Sequence, residues 1–362
     1  MINKTTFYRA LKYFLYTFSV IVLFASCRKL YNLPDDLPYL SDNVNYPTPV
    51  FKAVLGRTTL GTPFVKDDST FPLTFEIIDV KNLDKSSSNA LSVKKPVKVW
   101  TAQYTGNETS LAEIESKRKV EEHSIFEVRS SGEFVLWSSA TNADLLKSAP
   151  DSLYTFKVRV SNKAGEKIIG PLTFIPVRER PYEPSYHIDP TTGVALKEID
   201  NTVKRILPET LTGMRGSTTN RPLVRQTNPT TTTVRQDVWV YFNRVGDGNS
   251  LTFKFMDKDS IAIDPKKFNG TDWKNVVHGF NPKFESTYVR YDVAYPIPLT
   301  MWPTKYTTPD GSQALSTFQY NRIGFGGNRE IGIMSLRYNI FREGDWEIIF
   351  YFHNETPKFE DE

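Results

Sequence analysis

The 362 residues carry 45 Lys and Arg against 41 Asp and Glu, a formal net charge of +4. With no dense basic patch, they exclude a nucleic-acid surface built on charge. Hydrophobic residues at 39% and charged residues at 24% describe a globular protein with a packed core. The only cysteine is Cys27, so no disulfide within the chain can support that core.

The chain opens with Lys4, Arg9 and Lys12, then an almost wholly apolar or aromatic run from Tyr13 to Phe24, then the small Ala25 and Ser26. A run of about a dozen residues falls short of the roughly 20 needed to cross a bilayer as a helix, and the order of parts is that of a cleavable signal. Small-small-Cys at this point resembles the lipobox of bacterial lipoproteins, with Phe24 where Leu is usual. The resemblance implies a signal peptide over 1–26 and a diacylated Cys27 as the new N-terminus. Two acyl chains suffice for stable anchoring, so the expected location is the outer membrane, with the lipid as a partner.

Residues 27–47, rich in Pro, Asp and Asn without periodicity, read as a tether. Acidic residues close behind such a cysteine resemble a surface-export signal. Here Arg28 and Lys29 come first, and Asp35 and Asp36 later, which leaves the cell surface and the periplasmic face both open.

Over 48–178 apolar residues alternate between turn signals, in "PVFKAVLGRT", "FPLTFEIIDV", "KPVKVWTAQY", "GEFVLWSSAT", "YTFKVRVSN" and "LTFIPV". The stretch "DSLYTFKVRVSNKAGE" resembles strand F of immunoglobulin-like domains, with Tyr154 at the corner and Phe156 where antibody-type domains carry a cysteine. The same resemblance implies that Trp100 is the buried strand-C tryptophan. Ser110 and Glu113 form a capping box opening "SLAEIESKRKVEEH", which predicts an exposed helix with Glu113–Lys117 and Glu115–Lys119 pairs.

Residues 179–235, with "RERPYEPSYHIDPTTG" and a threonine-rich "NPTTTTVRQ", read as linker or irregular chain. Strand patterning returns over 236–362, with "VGDGNS" as a tight hairpin turn, and predicts a second β-sandwich or jelly roll. The expected fold class is therefore all-β, two sandwich domains, the first immunoglobulin-like.

Motifs of catalysis are missing: no G-x-S-x-G, H-E-x-x-H or P-loop occurs. His123, His187, His278 and His353 lie far apart and read as structural, so no metal and no cofactor is expected. Asp257 and Asp259 open a stretch with Ala262 and Phe268 where a calcium loop needs Gly and an acid. Asp-Ser steps at Ser69, Ser152 and Ser260 resemble an O-glycosylation signal of exported Bacteroidetes proteins. Turn-rich, polar stretches place Trp273, Trp302 and Tyr306 where rings would be partly exposed, the requirement for stacking on sugar. The alternative is that they plug the open ends of the sandwich.

With the lipobox, the immunoglobulin-like half and the closing "GDWEIIFYFHNETPKFEDE", the chain resembles a family of uncharacterised Bacteroidetes lipoproteins, a domain of unknown function. The resemblance implies a setting beside outer-membrane glycan importers of the starch-utilisation type, and it transfers no catalytic residue. The expected function is a membrane-anchored, non-enzymatic lipoprotein binding glycan or protein ligands beside such an import complex. The alternatives are a structural or adhesive spacer and a divergent carbohydrate-active hydrolase.

Overall fold

The computed structural model describes residues 37–141, 146–228, 230 and 234–362. The expected signal peptide and the lipidation point at Cys27 lie outside the described residues. The fold is all-β, as the alternation predicts.

In the first half the strands are β1 (Val50–Val54), β2 (Thr59–Leu60), β3 (Thr74–Lys81), β4 (Lys94–Trp100), β5 (Arg118–Ser124), β6 (Phe126–Val128), β7 (Phe134–Leu136), β8 (Tyr154–Asn162) and β9 (Gly165–Val177), with a short helix α1 (Leu111–Ser116). One sheet has the order β1-β9-β8-β3 and the facing one β2-β7-β6. β1 runs parallel to β9, while β3, β8 and β9 pair antiparallel. This is an immunoglobulin-like strand order, with β3, β8 and β9 as C, F and G and β2, β7 and β6 as B, E and D. Alternation in "YTFKVRVSN" buries Tyr154, Phe156, Val158 and Val160. Phe156 meets Phe126 and Phe134 edge-on at 5.4 and 5.3 Å, so aromatic packing fills the place of the antibody disulfide.

Two expectations fail here. Strand C is β3, and Trp100 ends β4, which pairs with β5 in a separate two-stranded ribbon inserted between C and D. Trp100 is 37% exposed, with the Arg118 guanidinium 5.2 Å from its ring centroid, so it is not a core tryptophan. The predicted helix also stops at Ser116, after the capping bond from the Glu113 N–H to Ser110. From Arg118 onward every residue finds a partner on β4. Lys117 therefore pairs with Glu108 and Lys119 with Glu121, not with the helical neighbours expected.

The second half contains β10 (Tyr182–Glu183), β11 (Thr210–Thr212), β12 (Trp239–Gly246), β13 (Ser250–Met256), β14 (Gly279–Glu285), β15 (Tyr288–Val293), β16 (Ala314–Ile323), β17 (Arg329–Ile340) and β18 (Asp345–Tyr351). A sheet of order β12-β18-β13-β15-β14 faces one built on β17, which carries β16 along one side and β10 and β11 along it in turn. Phe318 fills the space between them, within 5.0 to 5.2 Å of Phe253, Phe255 and Phe350. β13 and β18 are parallel, which separates this sandwich from an all-antiparallel jelly roll. The "VGDGNS" turn does not close a hairpin: β18 inserts between β12 and β13, and Asp345 accepts from the Gly248 N–H and the Ser250 hydroxyl. Residues 179–235, read as linker, contribute β10, β11 and the buried Ile206, Leu211, Met214 and Leu223 to this second core.

Candidate functional site

The ribbon and the loop after it carry the first sandwich onto the second. Tyr104 and Ile114 form an apolar cluster with Ala294 and Leu299 across the joint. Arg118 Nη1 donates to the Tyr295 carbonyl at 2.7 Å, and Lys98 pairs with Glu343 at 2.9 Å. Arg57 pairs with Glu183 at 3.2 Å and lies 3.8 Å from the Phe341 centroid, a further link between the halves.

A small pocket opens at this joint, lined by Tyr104, His278, Pro296, Pro298, Thr304 and Tyr306 among others. Its free space suits about one water molecule, which excludes a sugar ring from its interior. His278 Nε2 lies 2.9 Å from the Glu108 carbonyl, so it must donate there. In the neutral ring, which burial favours, Nδ1 then accepts from the Tyr104 hydroxyl at 2.5 Å. Burial holds the His278 pKa below its ordinary value.

The Glu108 side chain is fully enclosed. Lys117 Nζ reaches it at 2.5 Å, and the backbone N–H groups of Thr105 and Gly106 each donate at 2.9 Å. Burial opposes its ionisation, but Lys117 and the Thr105 donors outweigh that and bring the carboxyl to about 2. At neutral pH it is an anion that shapes the 104–108 loop. Sequence reasoning missed Tyr104 and Glu108 and named His278 only as a structural histidine, and no local signal could have joined them: Tyr104 and His278 are 174 residues apart.

The three expected ligand residues differ in how free their rings are. Trp302 is 62% exposed beside the exposed Met301, on the loop leading to this pocket. That loop is pinned from beneath by Gly311, at φ 74°, where an added Cβ would sit 2.5 Å from the Trp302 carbonyl carbon. Tyr306 stacks on His278 at 4.5 Å and 6°, with Lys305 Nζ 5.0 Å from its centroid, so its ring is already engaged. Trp273 packs onto the second core, edge-on to Phe284 at 5.5 Å and tilted against Phe318 at 5.7 Å, as a plug would. Trp302 alone of the three presents a largely free ring.

Of the serines, Ser69 is buried and accepts from the Ser41 N–H at 3.0 Å, out of reach of a transferase on the folded chain. Ser152 is half-buried, and Ser260 is exposed on a turn at φ 62°. Two further buried carboxylates are bound in clasps. Glu355 accepts from the N–H groups of Thr218 and Thr219 and from Arg221 Nε at 2.9, 2.6 and 3.2 Å. Burial opposes ionisation here too, yet the Thr219 and Arg221 donors hold the carboxyl at about 2. Asp237 is met by Arg235 at 2.6 Å and by the Val224 N–H at 2.7 Å. Among the described residues no group of three or more His, Cys, Asp or Glu is placed to hold a metal ion, and no helix is long and apolar enough to cross a membrane.

No curated protein and no solved structure is similar enough to this chain to match it. A family model described as "Domain of unknown function (DUF5007)" matches residues 64–361, across both sandwiches, and the chain belongs to that family.

Proposed function

We propose that the protein is a lipoprotein anchored through Cys27 in the outer membrane, that it is not an enzyme, and that its second sandwich offers a ligand surface to polymeric glycan beside a nutrient importer. The polarity of the molecule carries this reading. Residues 37–42 are fastened at the β8–β9 turn, where Asn162 Nδ2 donates to the carbonyls of Tyr39 and Thr70 at 2.9 and 3.0 Å. β9 then runs 13 residues to the other end of the first sandwich before the chain enters the second. An anchor at Cys27 would thus hold the second sandwich, with the exposed Trp302, on the side away from the membrane.

The non-enzymatic part of the reading is supported by the chemistry of the buried acids. Glu108, Asp237 and Glu355 are each held ionised by cations and N–H donors, the opposite of the raised pKa a general acid needs.

A single exposed ring leaves little surplus over the cost of association, so binding to one sugar would be weak and avidity along a repeating polymer would supply most of the retention. Affinity electrophoresis of the soluble mature protein against a panel of glycans checks this. Retardation by at least one glycan, lost in Trp302→Ala and kept in Trp273→Ala that remains folded, is the expected result. No retardation of the wild type, or equal retardation of both variants, would remove the glycan site and favour the spacer reading.

A further inference from the structure

Three exposed apolar residues, Leu37, Tyr39 and Phe71, lie on two chain segments that meet at the end of the first sandwich where the chain enters it. Leu37 is 79% exposed, Tyr39 51% and Phe71 65%. The two segments are held side by side because Tyr39 and Thr70 exchange bonds: the Tyr39 N–H donates to Thr70 Oγ1 at 2.8 Å, and the Thr70 N–H donates to the Tyr39 carbonyl at 2.9 Å. Leu40 points the other way, packed on the core. Lys66 Nζ lies 5.3 Å from the Phe71 centroid, and Lys163 projects from the adjacent β8–β9 turn. The exposed apolar residues stand among charges of both signs, and Tyr and Phe are residue types that seat at a lipid interface through their rings.

We infer that this end of the first sandwich rests on the phospholipid surface, with Leu37, Tyr39 and Phe71 set into the headgroup region, so that the molecule stands end-on. The inference rests on the anchoring reading above. The chain between Cys27 and Leu37 spans at most about 35 Å, so an acylated Cys27 keeps the patch within reach of the bilayer. β9, with 13 residues at about 3.3 Å each, is about 40 Å long and puts the second sandwich beyond that. Asp42, Asp67, Asp68 and Glu166 offset Lys66, Lys163 and Lys167 at the same end. The contact is therefore apolar in origin and insensitive to salt.

The single cysteine makes the test direct. In the lipidated protein Cys27 is acylated, so Phe71→Cys or Tyr39→Cys supplies the only free thiol for an environment-sensitive fluorophore. Phe325→Cys, on the exposed β16–β17 turn, is the control. The lipidated proteins are reconstituted into phosphatidylethanolamine–phosphatidylglycerol vesicles with and without brominated acyl chains. The expected result is a blue shift and bromine quenching at 71 and 39, unchanged by added salt, and neither effect at 325. Vesicle flotation of the wild type with a water-like signal at 71 overturns the end-on contact while leaving the anchor intact. Equal quenching at 71 and 325 means the molecule lies flat, and a density-dependent blue shift at 71 without quenching means the patch meets a second copy; either overturns it. Failure of the wild type to float overturns the anchor and this contact together.

Discussion

Glu108 draws its place in the structure from partners that its own neighbourhood only partly supplies. Two N–H donors come from Thr105 and Gly106, one cation from Lys117, and its backbone carbonyl accepts from the Nε2–H of His278 in the second sandwich. Removing the carboxylate leaves an ammonium and two N–H groups without their acceptor, so Glu108→Ala is expected to cost about 2 to 4 kcal/mol at pH 7. Its folded pKa of about 2 lies below the ordinary value near 4.3. The stability it contributes is therefore present above about pH 4.3 and lost as the pH falls toward 2. Denaturant titrations at pH 7 and pH 3 should show a smaller gap between wild type and Glu108→Ala at the lower pH. An equal gap at both would mean the carboxylate acts by shape alone. Residues of this kind were not legible in the sequence, because nothing in "NETSLAEIESK" marks one glutamate as enclosed and the others as exposed. Tyr154 was legible, since a tyrosine opening a strand of strict alternation is a local pattern, and it is buried against Phe174.

At the scale of elements, alternation identified most strands and failed wherever pairing was decided at a distance. "VKVW" resembled the immunoglobulin strand C with its buried tryptophan, yet only Val97 is buried, and the strand belongs to the ribbon. "KRKVEEH" carries charges at helical spacing, but seven ladder pairs with β4 outweigh the few tenths of a kcal/mol each helical ion pair would add. The β12–β13 turn was recognisable, while the insertion of β18 between the two strands was not, because the decisive residues Trp346, Ile348 and Phe350 lie about a hundred positions later in the chain. The corrected strand assignment can be tested in the first core. Phe156→Ala, which removes a ring touching both Phe126 and Phe134, is expected to cost about 3 to 5 kcal/mol. Trp100→Ala, at the end of the ribbon, should cost well under half of that. Equilibrium unfolding in urea measures both, and a larger loss for Trp100→Ala would restore it to the core.

The whole molecule is two sandwiches, each with its own aromatic core, joined by a third apolar cluster and by Arg57, Lys98 and Arg118. The family model that matches residues 64–361 takes in the second and all of the first but β1 and β2. That the chain forms two β-sandwiches was readable from turn spacing and alternation. That 179–235 would supply part of the second core was not, since the residues it adds, Ile206, Leu211, Met214 and Leu223, follow no strand or helix period. The proposed role follows from direction: entry at the turn end of the first sandwich, Trp302 on the second, and an anchor point ten positions before Leu37. Everything in that arrangement depends on Cys27 being the acylated N-terminus. The most direct test is the intact mass of the protein extracted from outer membranes, with Cys27→Ser expressed alongside. The expected mass is that of a chain beginning at Cys27 plus its acyl groups, found in the detergent phase, with Cys27→Ser leaving that phase. A membrane-retained protein that keeps residues before Cys27, or an extracted one with a free thiol there, would contradict the anchor and the orientation built on it.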